Sequence, residues 1–369
     1  MTHSPFGLSL LPFFRLTRMA LFATVLICPA LATVAEAASD RWTAEKANEW
    51  YDAQPWLVGC NFTPSSAINQ LEMWQADTFD PETIDRELGY AAGLGMNTVR
   101  TYLHDLAWQA DPVGFKERLD HFLDLCAKHG IRPMLVFFDD CWNAEPKVGK
   151  QPEPVPSVHN SGWVQSPGWA VVNDPAQWGR LEAYVKDVVG SFHDDDRILI
   201  WDVYNEPGNT GQGTRSLPLL VKAFEWARAM EPTQPLTSAV FGKLEDRPAI
   251  NAYLKEASDI ISLHHYQNLE RLKAKVDTLK QHGRPLISSE WLARGKSNVA
   301  DQLPYYHAQG IGVYNWGLVS GKTNTIYRWG TKEGAPEPEL WHHDLLRKDG
   351  TPFDSAEAAL FRQLTKSKP

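Results

Sequence analysis

The sequence predicts a single-domain (β/α)8 barrel, an α/β fold. Short apolar runs recur along the chain with longer helix-like patterns between them, and near-continuous apolar runs are typical of parallel strands buried on both faces. Eight such runs favour a closed barrel over an open doubly wound sheet, and no G-x-G-x-x-G motif follows the first run. The predicted strands are 56–61, 98–103, 132–138, 198–204, 236–240, 260–264, 286–289 and 312–316.

Helical patterns occupy most of the intervals between these runs. Asp80 stands directly before Pro81, an arrangement that favours a helix start, and Gly130 and Gly283 follow helical runs as expected of helix C-terminal caps. The predicted helices are 81–93, 115–129, 175–192, 217–230, 248–257 and 269–281.

The first segment has the pattern of a cleaved signal peptide. Arg15 and Arg18 precede an apolar run at 19–34, and Ala35-Glu36-Ala37 resembles an A-x-A cleavage site. The run is too short to be a good membrane span, so we predict export to the periplasm or the medium without a membrane anchor. Residues 1–37 would be removed, and residues 38–369 would form the barrel domain.

Composition narrows the classes of partner. The 369 residues carry a formal net charge of −9 without a Lys/Arg run, which disfavours a nucleic acid or an anionic membrane. The 15 Trp, 11 Tyr and 15 Phe residues suit a carbohydrate site, because flat sugar faces stack on aromatic rings, although large cores also use Trp. Cys60, Cys126 and Cys141 cannot all pair with one another, and no C-x-x-C or H-x-x-x-H pattern indicates a metal site. We expect no cofactor.

A long interval separates the third strand from its helix. Residues 139–174 are rich in Pro, Gly and Trp, including Trp142, Trp163 and Trp169. In a barrel this segment would emerge at the C-terminal face, where active sites form. We predict a substrate-lining loop; the alternative is a surface insertion without a role.

Two glutamates end predicted strands. Glu206 follows the fourth strand within Tyr204-Asn205-Glu206-Pro207, and Glu290 follows the seventh strand at 286–289. Two carboxyl groups on opposite strands of a barrel mouth fit a retaining glycosidase, which holds them about 5–5.5 Å apart. An aromatic surrounding would raise the pKa of Glu206, as general-acid work near neutral pH requires.

The Asn205-Glu206-Pro207 motif and Glu290 resemble glycoside hydrolase clan A, especially the cellulase-type family 5. The resemblance covers the whole barrel, from about Trp56 to Trp316. It implies retaining hydrolysis of a β-linked oligo- or polysaccharide, with Glu206 as acid/base and Glu290 as nucleophile.

The resemblance also implies roles for five further residues. Arg100, at the end of strand two, would support the nucleophile, and Tyr266 of His264-His265-Tyr266 would donate to Glu290. His264 would line the cleft, Trp316 would lie under the sugar being cleaved, and Asn205 would bind the 2-hydroxyl.

The sequence departs from the family after strand three. Many members have a His there, whereas this chain has Asp139-Asp140-Cys141-Trp142, so one of the two aspartates, together with Trp142, would contact the substrate instead. Glu72, after strand one, would bind a sugar hydroxyl or close one end of the cleft, and closure would make the enzyme exo-acting. Structural salt bridges and loop hydrogen bonds are the alternative for Glu72 and both aspartates.

Three other functions compete with this interpretation. A carbohydrate-binding barrel without catalysis would not need both carboxylates with their supporting residues, and a metal-dependent hydrolase would need His or Asp at strand ends that lack them. A transglycosylase would use the same residues. The sugar, the linkage, endo or exo action and the oligomeric state stay open, with gluco or manno configuration favoured.

Overall fold

The computed structural model describes residues 41–366, which lie beyond the predicted signal peptide. Eight parallel strands form one sheet in the order β5-β4-β3-β2-β1-β8-β7-β6, which is the order of a (β/α)8 barrel. The strands are β1 (Val58–Asn61), β2 (Thr98–Tyr102), β3 (Met134–Asp139), β4 (Ile200–Asn205), β5 (Leu236–Thr237), β6 (Ile261–His265), β7 (Leu286–Trp291) and β8 (Gly312–Trp316). All eight predicted strands are therefore present; the eighth has the predicted bounds, and each of the others differs at one or both ends.

Helices cover the outside of the sheet. Asp80 and Asp111 cap two of them by accepting the backbone N–H of Thr83 and Gly114, and each is followed by Pro at the first helical position. None of the helices within 41–366 combines the length and the apolarity that crossing a membrane requires. The helices are α1 (Ala44–Asp52), α2 (Gln70–Trp74), α3 (Pro81–Gly93), α4 (Asp105–Ala110), α5 (Pro112–Lys128), α6 (Trp169–Val172), α7 (Trp178–Phe192), α8 (Leu217–Arg228), α9 (Pro248–Ala257), α10 (Leu269–Lys280), α11 (Val299–Ala308) and α12 (Ser355–Leu364).

Side-chain and loop hydrogen bonds complete the barrel between β5 and β6. The predicted strand 236–240 is regular only to Thr237, and the hydroxyl of the next residue, Ser238, donates to the Tyr204 carbonyl at 2.6 Å. Val240 pairs with the sheet again: its N–H donates to Ser262 O at 2.9 Å, and its carbonyl accepts from His264 N at 3.0 Å. These bonds join the β5 side to β6 although β5 itself is short.

The N-terminal end of the barrel is filled and covered by α1. Trp50 and Tyr51 pack on a buried apolar layer inside the barrel, and the Tyr51 hydroxyl accepts from Gly312 N at 2.7 Å and donates to Gly310 O at 2.9 Å. The layer consists of Leu57, Met134, Leu199, Ile200, Ile260, Ile287 and Tyr314. The barrel interior is therefore filled at this end by α1 and the inner layer.

Three loops dominate the carboxyl end of the barrel. We call them the β1 loop (residues 62–69), the β3 loop (residues 140–168) and the β8 loop (residues 317–354). The β3 loop accounts for most of the long interval noted in the sequence, and the interval ends in the short helix α6. The His342-His343-Asp344 sequence lies in the β8 loop and is buried there.

Candidate active site

Glu206 and Glu290 lie side by side at the carboxyl ends of β4 and β7. Glu206 follows the last residue of β4 with a φ of 44°, a left-handed conformation that non-glycine residues seldom adopt outside sites that need it. Their side chains are 14% and 6% exposed. One carboxylate oxygen of each, together with one ring nitrogen of His264, lies within 4.8 Å of the others.

Three donors surround the Glu290 carboxylate. Arg100 Nη1 and the Tyr102 hydroxyl each donate to Oε1 at 2.8 Å, and the Tyr266 hydroxyl donates to Oε2 at 2.7 Å. Burial raises the pKa of Tyr102 and of Tyr266 well above the ordinary value, so both hydroxyls keep their protons. Donors on both oxygens hold the Glu290 carboxyl group in one orientation, as a nucleophile needs.

Arg100 is held at the centre of a buried network. Its guanidinium is fully buried and lies 2.9 Å from Asp202 Oδ2, which balances its charge from inside β4. It also donates to Asn61 Oδ1 at 2.8 Å and to Asn205 Oδ1 at 2.7 Å. A planar guanidinium with several fixed acceptors cannot rotate freely, so the donor to Glu290 is preorganised.

Glu206 has different surroundings from Glu290. Burial raises the pKa of its carboxyl group, while donors, including the Cys141 thiol with Sγ 3.4 Å from Oε2, act against burial. Asn209 Nδ2 also donates to Oε2. His264 Nδ1 lies 2.7 Å from Oε1, and burial lowers the pKa of His264 to about 3, so this imidazole is neutral. A carboxyl group with a raised pKa beside neutral donors can carry a proton near neutral pH.

A cavity of about 600 Å³ opens over the two glutamates, within the range of small-molecule sites. Its walls are largely aromatic. The aromatic lining comprises Trp142, His159, Trp163, Phe241, Tyr266, Trp316 and Trp329, and the polar lining includes Asp139, Cys141, Asn160, Asn205, Asn209, Thr210 and Arg247.

The aspartates after β3 have separate positions. Asp139 lines the cavity and accepts from Trp163 Nε1 at 2.7 Å and Asn205 Nδ2 at 2.9 Å; burial raises its pKa to about 7. Asp140 points away and accepts from the Tyr204 hydroxyl at 2.8 Å and from Gly208 N at 2.6 Å. Asp140 is therefore a structural residue.

Glu72 does not line the cavity, so a direct sugar contact through it is not supported. Its carboxylate forms an ion pair with Lys322 Nζ at 2.6 Å and accepts from Ile68 N at 2.6 Å. Because Lys322 belongs to the β8 loop, Glu72 joins that loop to the β1 side of the barrel. Trp169 also lies outside the cavity lining, and its ring is 36% exposed.

The remaining predicted residues meet at this cavity. Asn205, Tyr266, Trp142 and Trp316 line it, whereas Arg100 lies beneath Glu290 and His264 lies beneath Glu206, 3% exposed. The roles that the sequence predicts for these residues stay predictions.

Sequence reasoning missed several lining residues. Asn209 stands three residues after Glu206, where a turn brings it back to the same carboxyl group, so this one could have been found. Arg247 and Trp329 come from loops after β5 and β8, and nothing in the local pattern places them near the glutamates. In the sequence, Cys141 stands out only as one of three cysteines that cannot all pair. The structure describes Cys141, Cys60 and Cys126 as free thiols.

One group of side chains within 41–366 could share a metal ion, and it consists of the two glutamates and their histidine neighbour: Glu206, His264 and Glu290. Arg100 Nη1 already lies 2.8 Å from Glu290 Oε1 and supplies a positive charge there. A divalent cation would compete with the guanidinium for the same carboxylate.

Comparisons with known proteins concern the family and the fold of this chain. A family model described as Cellulase (glycosyl hydrolase family 5) matches residues 58–321, which span β1 to the start of the β8 loop. None of the curated proteins compared with this chain matches it significantly.

Solved structures resemble the fold at low identity. The GH5_18 protein from Streptomyces cattleya in complex with GlcNAc has a TM-score of 0.58 at 15% identity, over 85% of this chain and 81% of that chain. The exo-beta-1,4-mannosidase Op5Man5 from Opitutaceae bacterium strain TAV5 has a TM-score of 0.55 at 17% identity, over 84% and 60%. The endo-beta-1,4-mannanase from Thermotoga petrophila has a TM-score of 0.52 at 13% identity, over 86% and 77%.

Proposed function

Since the chain belongs to the cellulase family, glycosyl hydrolase family 5, and is a glycosidase acting on O-glycosyl compounds, we propose that it cleaves β-glycosidic bonds with retention of configuration. The observation that carries the proposal is the approach of Glu206 and Glu290, with one oxygen of each within 4.8 Å. Retaining enzymes hold these groups about 5–5.5 Å apart, whereas inverting enzymes leave about 6.5–9.5 Å for a water molecule.

The first step makes a covalent intermediate. Glu290 attacks the anomeric carbon and forms a glycosyl ester, the glycosidic C–O bond breaks, and Glu206 gives its proton to the leaving oxygen. Glu206, whose pKa is raised by burial, carries the proton, and the donors Arg100, Tyr102 and Tyr266 hold the Glu290 side chain in position for attack.

The second step returns the enzyme to its starting state. Glu206, now a carboxylate, takes a proton from water, and the resulting hydroxide oxygen attacks the anomeric carbon as the bond to Glu290 breaks. A sugar hydroxyl in place of water would give transglycosylation from the same intermediate. We assign Trp316 as the ring on which the sugar stacks and Asn205 as the donor to its 2-hydroxyl, because both line the cavity beside the glutamates.

The proposal is tested with 4-nitrophenyl β-D-glucoside and β-D-mannoside. We expect the β-anomer of the free sugar to appear first in a proton NMR time course, and a 2-deoxy-2-fluoro glycoside to label Glu290, as read by peptide mass spectrometry. Glu290→Gln should abolish both signals while the circular dichroism spectrum is unchanged. An α-anomer as first product would establish inversion, and failure to cleave any aryl glycoside would favour a carbohydrate-binding barrel.

The proposed location rests on the sequence alone. We propose that residues 1–37 direct the chain to the periplasm or the medium and are then removed, since Arg15 and Arg18, the apolar run and Ala35-Glu36-Ala37 form the pattern of a signal peptide.

A further inference from the structure

We infer that the enzyme removes single sugars from the non-reducing end of its substrate, because three joined loops close the glycone end of the cavity. This inference rests on the proposed retaining glycosidase activity and goes beyond it by assigning exo action.

The chemistry fixes which end of the cavity holds which part of the substrate. Glu206 protonates the leaving oxygen, so the leaving chain extends past Glu206 toward the loops after β4 and β5, where Thr210, Phe241 and Arg247 line the cavity. The glycone lies toward Glu290 and Trp316, on the side of β8, β1 and β3.

Space is distributed unequally between these two sides. On the leaving-group side a second cavity of about 450 Å³ shares Glu206, Gly242 and Tyr266 with the first. On the glycone side the adjoining void, behind Trp163 and Trp316, holds only about 20 Å³, which is room for about one water molecule. A chain can therefore continue past Glu206 but not past Trp316.

Aromatic rings end the glycone side. Trp163 stands edge-on to Trp316, with ring centroids 5.8 Å apart, so no second sugar fits beyond the ring that carries the first. Trp142 stacks on His159 at 5.5 Å, and Trp329 meets Tyr266 at 5.1 Å. These aromatic rings form the wall of the cavity from the β3 loop to Tyr266, which donates to Glu290.

Hydrogen bonds join the β3 loop to the β8 loop. Asn160 N donates to Thr323 O at 2.8 Å, and the Ser157 hydroxyl donates to Ala335 O at 2.6 Å. Asn324 Nδ2 donates to Val155 O at 3.0 Å. Two further bonds join these loops. His159 Nδ1 donates to Tyr327 O at 2.8 Å, and Gly334 N donates to Pro156 O at 3.3 Å.

The β1 loop completes the closure. Lys322 of the β8 loop donates its N–H to Ser65 O at 3.2 Å and pairs with Glu72 at 2.6 Å, just after the β1 loop. Asn69 Nδ2 donates to Gly162 O of the β3 loop at 2.8 Å. The three loops are thus bonded pairwise, so opening this side depends on loosening the contacts between them.

The test uses a reducing-end-labelled β-1,4-linked tetrasaccharide of the sugar whose 4-nitrophenyl β-glycoside the enzyme cleaves. We expect the labelled trisaccharide to appear first, then the labelled disaccharide, with free monosaccharide as the only unlabelled product. A tetrasaccharide capped by a 4,6-O-benzylidene group on its non-reducing sugar should stay intact. Early release of a labelled mono- or disaccharide, or cleavage of the capped chain, would overturn exo action while leaving the glycosidase assignment standing; inactivity on every aryl glycoside would defeat the assignment itself.

A paired variant tests whether the joined loops are the cause. Ser157→Ala with Asn324→Ala removes bonds between the β3 and β8 loops, and we expect internal cleavage of the tetrasaccharide to appear. The control is Asn48→Ala with Thr233→Ala, which removes comparable side-chain bonds to carbonyls away from both cavities and should keep terminal cleavage only. If the loop variant cleaves aryl glycosides and still releases only terminal sugars, the loops are not what enforces exo action.

Discussion

At Glu206, burial and hydrogen-bond donors act on one carboxyl group in opposite directions. Burial has the larger effect and raises its pKa, while the Cys141 and Asn209 donors lower it. Glu290, 6% exposed, meets an arginine and two tyrosine hydroxyls instead. Two glutamates within 4.8 Å thus receive different neighbours, which suits one to donate a proton and the other to attack.

The loss of rate on removing the Glu206 carboxyl group should depend on the leaving group of the substrate. We expect Glu206→Ala to slow cleavage of an oligosaccharide by about 10²–10⁴-fold, the usual contribution of general acid–base catalysis. Attack on a 2,4-dinitrophenyl glycoside needs no protonation and should slow much less. Added azide should restore turnover and give the β-glycosyl azide, measured by kcat and by NMR of the product; equal losses on both substrates without azide rescue would contradict the acid/base assignment.

The thiol of Cys141 should tune the pH dependence. Burial raises the pKa of Cys141 well above its ordinary value, so the thiol is a donor to ionised Glu206. Cys141→Ala removes this donor and should raise the pKa of Glu206, moving the alkaline limb of the kcat profile to higher pH. Cys141→Ser supplies a stronger donor and should move the limb to lower pH. Coinciding profiles for both variants would contradict this role.

Residues at strand ends could be predicted from the sequence, whereas residues on loops could not. The Asn205-Glu206-Pro207 motif and Glu290 stand out because a buried strand delivers each of them to the barrel mouth. Trp329 reaches Tyr266 only because the β8 loop folds back over the site, a tertiary event without local signal. Glu72, expected on the loop after strand one, lies instead in the short helix α2, and its ion pair with Lys322 joins positions 250 residues apart.

At the scale of single elements, β1 and β2 pack too closely for any side chain at Gly59. A Cβ there would lie 2.1 Å from the Thr98 carbonyl oxygen, inside the ladder that pairs Gly59 with Thr98. This explains a glycine in the middle of a buried strand, where its flexibility otherwise costs stability.

A matched pair of glycine variants measures that contact. Gly59→Ala should push β1 and β2 apart and lower the unfolding free energy by several kcal/mol, about the scale of overpacked or strained core sites, or prevent soluble expression. Gly93→Ala, at the end of α3 with nothing within 4 Å of the added Cβ, should be neutral or stabilise by up to about 1 kcal/mol. Urea unfolding followed by circular dichroism distinguishes them; similar stabilities would contradict the steric argument.

The bounds of helices were predicted correctly where the local sequence pattern alone determines them. Helices 81–93 and 248–257 have the predicted bounds, and both begin with Pro at the first turn. The predicted helix 175–192 begins instead as a 3-10 turn at Pro175–Gln177 before α7, because Asp174 caps the shorter turn. Strand β5 is shorter than predicted, and beyond its end Ser238 bonds to Tyr204 of the neighbouring strand β4 through its side chain, which no local pattern reveals.

At the scale of the whole molecule, α1 covers the end of the barrel opposite the active site. Trp50 and Tyr51 pack on the inner apolar layer, and Arg41 just before the helix donates to Ser258 O and Lys255 O, both at 2.7 Å. The barrel therefore depends on contacts from residue 41 onward.

Two truncated chains should distinguish the N-terminal residues that the fold does not need from those that it does. A chain starting at Ala38 should express as a soluble, active enzyme with the thermal midpoint of the processed protein. A chain starting at Gln54 lacks α1 and exposes Leu57 and Ile287 of the inner layer, so we expect aggregation or a strongly lowered Tm. Light scattering and calorimetry give the readout, and N-terminal sequencing of exported enzyme should begin at Ala38; a stable chain from Gln54 would show that α1 is dispensable.

The joined β1, β3 and β8 loops also determine the order in which the two reaction products leave the enzyme. With the single entrance that we infer on the Glu206 side, a sugar over Trp316 could not leave until the departing chain had vacated the path beside Arg247. Release is then ordered, chain first and monosaccharide last, and the free sugar competes with the next substrate for the empty enzyme. Accumulating monosaccharide would slow the enzyme as a competitive inhibitor, so its rate in a closed vessel would be governed by how quickly the sugar is carried away.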